Sequence, residues 1–193
     1  MDFIPDFNLE GTEISIVEEM KLLGVVVRTD MKWNSNTDSM VKKGYQRLWV
    51  IRRLKSMGAT NEQLKDSFVK QVRSIMEFAA PAWHAAITNA ERTDIERVQK
   101  TAMQIILGEE YSDYRRALQT VGLDSLESRR TTLCLRFAKK AVKHPKHSSW
   151  FQLNTNTVNT RREKDKYYPV YADHTRFKTS PISYLTKLLN SDC

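Results

Sequence analysis

Met20-Lys21-Leu22-Leu23-Gly24-Val25-Val26-Val27 runs through a polar segment, Arg28-Thr29-Asp30-Met31-Lys32-Trp33-Asn34-Ser35-Asn36, into a cation-rich stretch holding Lys42, Lys43, Arg47, Arg52, Arg53 and Lys55. Three consecutive valines after a glycine read as a strand, because β-branched side chains suit a pleated surface and lose rotamer freedom in a helix. Asn34, Ser35 and Asn36 offer side-chain oxygens to the free N–H groups of a first helical turn. The stretch therefore reads as a strand delivered onto a basic helix, with the other segments packed round that junction.

Working outward, residues 7–28 read as a small antiparallel meander of about three strands, with Glu10-Gly11-Thr12 as a hairpin turn. The basic helix spans roughly Thr37 to Met57 and stops at Gly58. Its apolar residues (Met40, Val41, Tyr45, Leu48, Trp49, Ile51, Leu54) lie almost all round it, which predicts packing on more than one side. Thr60-Asn61-Glu62-Gln63 is a capping box opening a second helix with an apolar stripe of Leu64, Phe68, Val72, Ile75 and Ala79, broken at Pro81. Thr88-Asn89-Ala90-Glu91 opens a third, with Ile95, Val98, Ala102, Ile105 and Ile106 inward and Glu96, Arg97 and Lys100 outward; Gly108 ends it. A short helix follows over Ser112 to Thr120, closed by Gly122.

In the fourth long helix Asp124 and Glu127 serve the first turn, and Leu126, Leu133, Phe137 and Ala141 form the apolar stripe, widened by Cys134 and Ala138. Arg129, Arg136, Lys139, Lys140 and Lys143 fall within about one 100° sector on its outer side, while Arg130 projects toward the apolar side as a structural partner for an acid. His144-Pro145 ends it. The polar sequence beyond, including Arg161-Arg162-Glu163-Lys164-Asp165, reads as a loosely ordered tail. Trp150, Phe151, Tyr167 and Tyr168 are its candidate anchors, and residues 182–189 its short terminal helix. The fold class is thus mainly α, a bundle of four to five helices with an N-terminal β-meander (1–35), a helical bundle (36–145) and a basic polar tail (146–193).

An ordered set of segments resembles one family. Lys21-Leu22-Leu23-Gly24-Val25, Trp33-Asn34, Lys42-Lys43-Gly44-Tyr45-Gln46-Arg47-Leu48, Ala80-Pro81-Ala82-Trp83, Glu96-Arg97-Val98-Gln99-Lys100-Thr101-Ala102, Ile105-Ile106-Leu107-Gly108, Leu126-Glu127-Ser128-Arg129-Arg130 and His144-Pro145-Lys146 resemble, in that order, the non-LTR (LINE, jockey-type) retrotransposon reverse transcriptases downstream of their catalytic palm. The resemblance implies a primer-grip-like hairpin carried by Leu23 and Gly24, followed by a thumb. The residues alone leave Gly24 open between a close backbone approach and a strand glycine beside a bulge. The implied role is non-specific binding of template–primer, an RNA–DNA or DNA duplex, by a fragment of an RNA-directed DNA polymerase (a nucleotidyltransferase). The candidate phosphate contacts are Lys42, Lys43, Arg47, Arg52, Arg53, Lys55, Arg129, Arg136, Lys139, Lys140 and Lys143, since thumbs set cations against phosphates. The alternative is a non-catalytic helical interaction module derived from a mobile element.

Composition bounds these readings. The net charge of +8 over 193 residues is concentrated in residues 36–75 and 125–193. Clustered cations attract polyanions. No apolar run approaches ~18 residues, so no membrane span is expected, and Met1-Asp2-Phe3-Ile4-Pro5-Asp6 lacks a signal-peptide layout. Cys134 and Cys193 are distant in sequence, and Cys134 reads as a small core residue in a reducing, intracellular setting (nucleus or cytoplasm). Cys134 with His144 and His147 lacks a metal-binding spacing, His84 beside Trp83 reads as a packed histidine, and the tryptophans as core or groove-lining. The family's Asp-Asp pair, which holds Mg in the full-length polymerase, is not matched; Tyr171-Ala172-Asp173-His174 lacks its second aspartate. No catalytic residue, metal site or cofactor is expected, and this chain alone is not expected to polymerise DNA.

Overall fold

A computed structural model describes residues 7–155, 166–168 and 174–192. Met1 to Asp6, the Arg161-to-Asp165 run, Tyr171-Ala172-Asp173 and Cys193 lie outside the described residues. The protein is mainly helical with antiparallel strands at its N-terminal end. The strands are two separate hairpins rather than one meander: β1 (Phe7–Leu9) with β2 (Thr12–Ile14), and β3 (Glu19–Leu22) with β4 (Val25–Arg28). Leu22 pairs with Val25, so the apolar run expected as one strand folds back at Leu23–Gly24. Both turn residues have positive φ, 48° and 91°, as a two-residue type I′ turn requires. The second is the glycine; the first is a leucine held in a region L-residues avoid.

β4 hands the chain to α1 (Asn34–Ser56). None of the three candidate caps serves its first turn: the cap residue is Trp33, without a side-chain bond. Asn36 is instead buried, and its Oδ1 accepts the Val26 N–H at 3.2 Å, tying the second hairpin to the helix. α1 buries Asn36, Thr37, Met40, Gly44, Leu48 and Ile51 and packs against β4 and the helical segments after it, while Tyr45 and Trp49 stay exposed.

α2 (Asn61–Phe68) starts with the Thr60–Gln63 capping box and runs through a π turn, Val69–Arg73, into α3 (Ser74–Glu77). The π turn inserts a residue into the helical phase. Leu64, Phe68, Val72 and Met76 are therefore fully buried, and Met76 takes the place expected for Ile75. Ala79, at φ 51°, turns the chain sharply into α4 (Ala80–Trp83), whose first turn holds Pro81. α5 (Asn89–Leu107) opens on the Thr88–Glu91 capping box, and α6 (Tyr114–Val121) ends at a left-handed Gly122. α7 (Leu126–Lys143) is capped by the Ser125 hydroxyl, not by Asp124. Its buried stripe is Leu126, Arg130, Cys134, Ala138 and Ala141, one step away from the expected Leu133 and Phe137; Phe137 is exposed.

The main core joins α1, α2, α3, α4, α5 and the start of α7. Gly44 lets α1 approach closely: a Cβ there would sit 2.9 Å from Met76 Cε and 2.9 Å from Val98 Cγ1. Gly44→Val is expected to cost about 2–3 kcal/mol, because the β-branched Val98 has no room to yield; urea denaturation checks this, and an unchanged midpoint would show a looser contact.

A second, smaller core contains Cys134, Ala138, Ala141, Phe151, Tyr167, Leu185 and Leu189. It forms where α9 (Pro181–Ser191), preceded by the short α8 (Thr175–Lys178), folds back on α7. The described part of the tail is thus anchored rather than loose. Asn190 exchanges two 3.0 Å hydrogen bonds with the Tyr167 backbone, and Leu153 bridges Tyr167. Phe151 and Tyr167 anchor it, whereas Trp150 and Tyr168 stay partly exposed. Among the described residues no helix is long and apolar enough to cross a membrane.

Candidate nucleic-acid interface

The outer surface of α1 follows from its one-sided burial. Lys42, Lys43, Arg47, Arg52 and Arg53 are all exposed. Between them stand Tyr45 and Trp49, the latter 65% exposed, although its size suggested a place in the core. Periodicity alone could not find this pair, because apolar residues occur on every side of α1 and the packing of β4, α2, α3 and α5 chooses which face closes.

Two adjoining concavities, about 340 and 370 Å³, share Lys43 and Ile75. One reaches Gly24 and Phe78; the other reaches Gln46 and Arg47. Together they make one groove from the hairpin turn along α1. Leu23 stands at the turn, 89% exposed. Gly24 lies against Phe78, where a Cβ would come within 3.2 Å of the ring. Gly24 is thus a turn glycine under close approach, not a strand glycine beside a bulge. The fold brings Gly24, Lys43 and Arg47 together although they are spread over 24 residues.

Three candidate cations have other partners. Lys55 is half-buried, and its Nζ donates to the Ile105 carbonyl and, at 3.1 Å, to the Ile106 carbonyl at the C-terminal end of α5. There it satisfies carbonyls that the helix itself leaves free. Arg129 forms a two-pronged pair with Glu77, at 3.1 and 3.3 Å, joining α7 to α3. Arg73 lies 3.4 Å from the same carboxylate. Lys139 pairs with Asp192 at 2.5 Å. Arg136, Lys140 and Lys143 remain exposed on the outer side of α7, and none of them lines the α1 groove.

Arg130 is fully buried but holds no direct ion pair with an acid among the described residues. Its Nε donates to His84 Nδ1 at 3.3 Å, and its guanidinium lies 5.7 Å from the Trp83 ring centre. Glu96 and Glu127 act on it only through space. Burial, followed by the charges of Arg130 and Arg92, pushes the His84 pKa down to about 3, so this imidazole is neutral and can accept. The packed-histidine reading therefore holds. Glu96 does not point away: it accepts from the Tyr114 hydroxyl and, at 3.1 Å, from the Leu126 N–H at the start of α7. Cys134 is buried, which pushes its thiol up to about 11, as suits a core residue.

Among the described residues, no three His, Cys, Asp or Glu side chains come together as a metal-holding group. The arrangement offers cations, exposed aromatic rings and a half-open groove, which suits binding of an extended anion. Comparison with protein-family models, with curated proteins and with solved structures finds no match for this chain.

Proposed function

We propose that this chain binds template–primer nucleic acid, an RNA–DNA or DNA duplex, without base specificity, as the thumb-like part of a LINE-type reverse transcriptase. The observation that carries the reading is the groove joining the Leu23–Gly24 turn to Lys43 and Arg47. Lys42, Arg52 and Arg53 are exposed on other sides of α1, near Tyr45 and Trp49, and do not form one stripe with Lys43 and Arg47. Phosphates would meet the cations, while the space left by the missing Gly24 side chain is filled by the Phe78 ring. The α7 set is reduced to Arg136, Lys140 and Lys143 as a second contact surface.

Lys43→Glu with Arg47→Glu is expected to weaken binding to an RNA–DNA hybrid about tenfold or more, and to flatten the dependence on salt. Fluorescence anisotropy across a salt series measures both. Lys55→Ala is the control: it should lower stability without altering hybrid affinity. Unchanged affinity in the doubly reversed variant, and in one carrying Arg136→Glu, Lys140→Glu and Lys143→Glu, would remove the reading.

One observation favours the alternative, a helical interaction module. Met20, Leu22, Leu23 and Phe78 are all more than half exposed around the second hairpin, and an apolar surface of that kind suits a protein partner. Absence of hybrid binding at low salt would select it.

A further inference from the structure

We propose that the end of α7 carries a second nucleic-acid site, a stacking platform for the unpaired bases of a single strand, built by His144, His147 and Trp150. The His144 and His147 rings stack with centres 4.5 Å apart at 23°, and the His147 and Trp150 rings follow at 4.4 Å and 39°. Three rings thus form one column. The backbone sets it: the His147 N–H donates to the His144 carbonyl and the Trp150 N–H to the His147 carbonyl, both at 3.0 Å. The Lys146 N–H donates to His144 Nδ1 at 3.2 Å, which fixes that ring and makes Nδ1 the acceptor. A column arranged in advance loses little freedom when a further ring is added to it.

The column is not core. His144 is exposed and Trp150 is 39% exposed, while the next residue, Phe151, is buried at 4%. The chain therefore closes one aromatic ring into the second core and leaves the preceding column at the surface. Cations adjoin it. Lys143 and Lys146, on either side of the His144-Pro145 step, are both exposed. Lys143 also shares a concavity of about 360 Å³ with Lys139, Lys166 and Tyr167. The acid in that concavity, Asp192, is taken up by Lys139. Rings that stack on any base, beside cations that follow a phosphate backbone, are the two parts of sequence-tolerant single-strand binding. A continuous duplex exposes no base face along its length, so the ligand is a free single strand or the unpaired overhang of a duplex.

The overhang case rests on the duplex reading above; the free-strand case does not. Three probes separate them with the full chain: an oligo-dT strand carrying one 2-aminopurine, a blunt RNA–DNA hybrid, and the same hybrid with that strand as an overhang. Stacking should quench the 2-aminopurine. Trp150→Ala or His144→Ala should weaken the free strand and the overhang hybrid by roughly 5- to 10-fold and leave the blunt hybrid unchanged. Trp150→Phe should restore most of the affinity because it keeps an aromatic face, and unchanged binding of the blunt hybrid by the alanine variant separates lost stacking from a folding defect. An unquenched probe, or alanine variants that affect all three ligands equally or none of them, would overturn the platform. Quenched binding of the free strand without any binding of the blunt hybrid would leave the platform standing and remove the duplex reading.

Discussion

Lowering the pH from 7 to 5 should destabilise this protein by about 2 kcal/mol through His84 alone, and a full descent below pH 3 by about 4–5 kcal/mol. His84 is 1% exposed, so little solvent screening applies. In the unfolded chain its imidazole takes up a proton near the ordinary value of 6.5; in the folded protein it does so only near 3. Between those values the unfolded state binds the proton and the native state does not. The stability is therefore fully present above pH 6.5 and is lost as the pH falls toward 3. The cause is physical exclusion: the ring is packed under Tyr184, 5.7 Å between centres, and faces the Arg130 guanidinium. A further positive charge there would be stripped of water and repelled by both Arg130 and Arg92. Urea midpoints from pH 7 to 5 measure the slope, and His84→Gln, which keeps an acceptor for Arg130 but cannot be protonated, should remove it. Equal slopes in both proteins would show that His84 opens to solvent without unfolding.

Trp83→Ala should cost about 4 kcal/mol or more, at the upper end of what a truncated core aromatic loses. Trp83 is fully buried, and its Nε1 donates to the Phe78 carbonyl at 2.9 Å. That carbonyl belongs to the sharp turn at which α3 gives way to α4. Truncation would leave a cavity, an unpaired carbonyl at the turn and the Arg130 cation without the ring beside it. Trp83→Phe, which keeps most of the volume, should lose about half as much. Trp49→Ala on the outer face of α1 should fall within about 0.5 kcal/mol of the parent. Circular dichroism in urea compares the three; a Trp83→Ala loss no larger than that of Trp49→Ala would mean that the turn does not depend on the indole.

The contrast between these two tryptophans shows what could be read from the chain. Both sit among apolar neighbours in sequence, and nothing local separates them. Trp83 is enclosed because Pro81 and the left-handed Ala79 direct α4 inward; Trp49 is open because the elements packed on α1 cover the Met40–Gly44–Leu48–Ile51 face and not its outer side. The cations divide in the same way. Lys43 and Lys55 lie about 120° apart on a helical wheel; one lines a groove and the other holds the end of α5, and only the fold brings the carbonyls of Ile105 and Ile106, 50 residues away or more, to Lys55. The π turn shows a subtler limit: it moved the buried position from Ile75 to Met76 without any sequence mark that periodicity reads.

By itself, the sequence determined the features whose causes lie within a few residues. The capping boxes at Thr60 and Thr88, the stops at Gly58, Gly108 and Gly122, the break at Pro81 and the mainly helical class all depend on local hydrogen bonds and backbone freedom. Tertiary structure alone decided the burial of Asn36, the contacts of Arg130 with His84 and Trp83 in place of an acid, and the separation of exposed cations from those bound to Glu77, Asp192 and the end of α5. The physical reason is that a charge or a ring takes its role from what lies across from it, and in this chain those partners are distant in sequence.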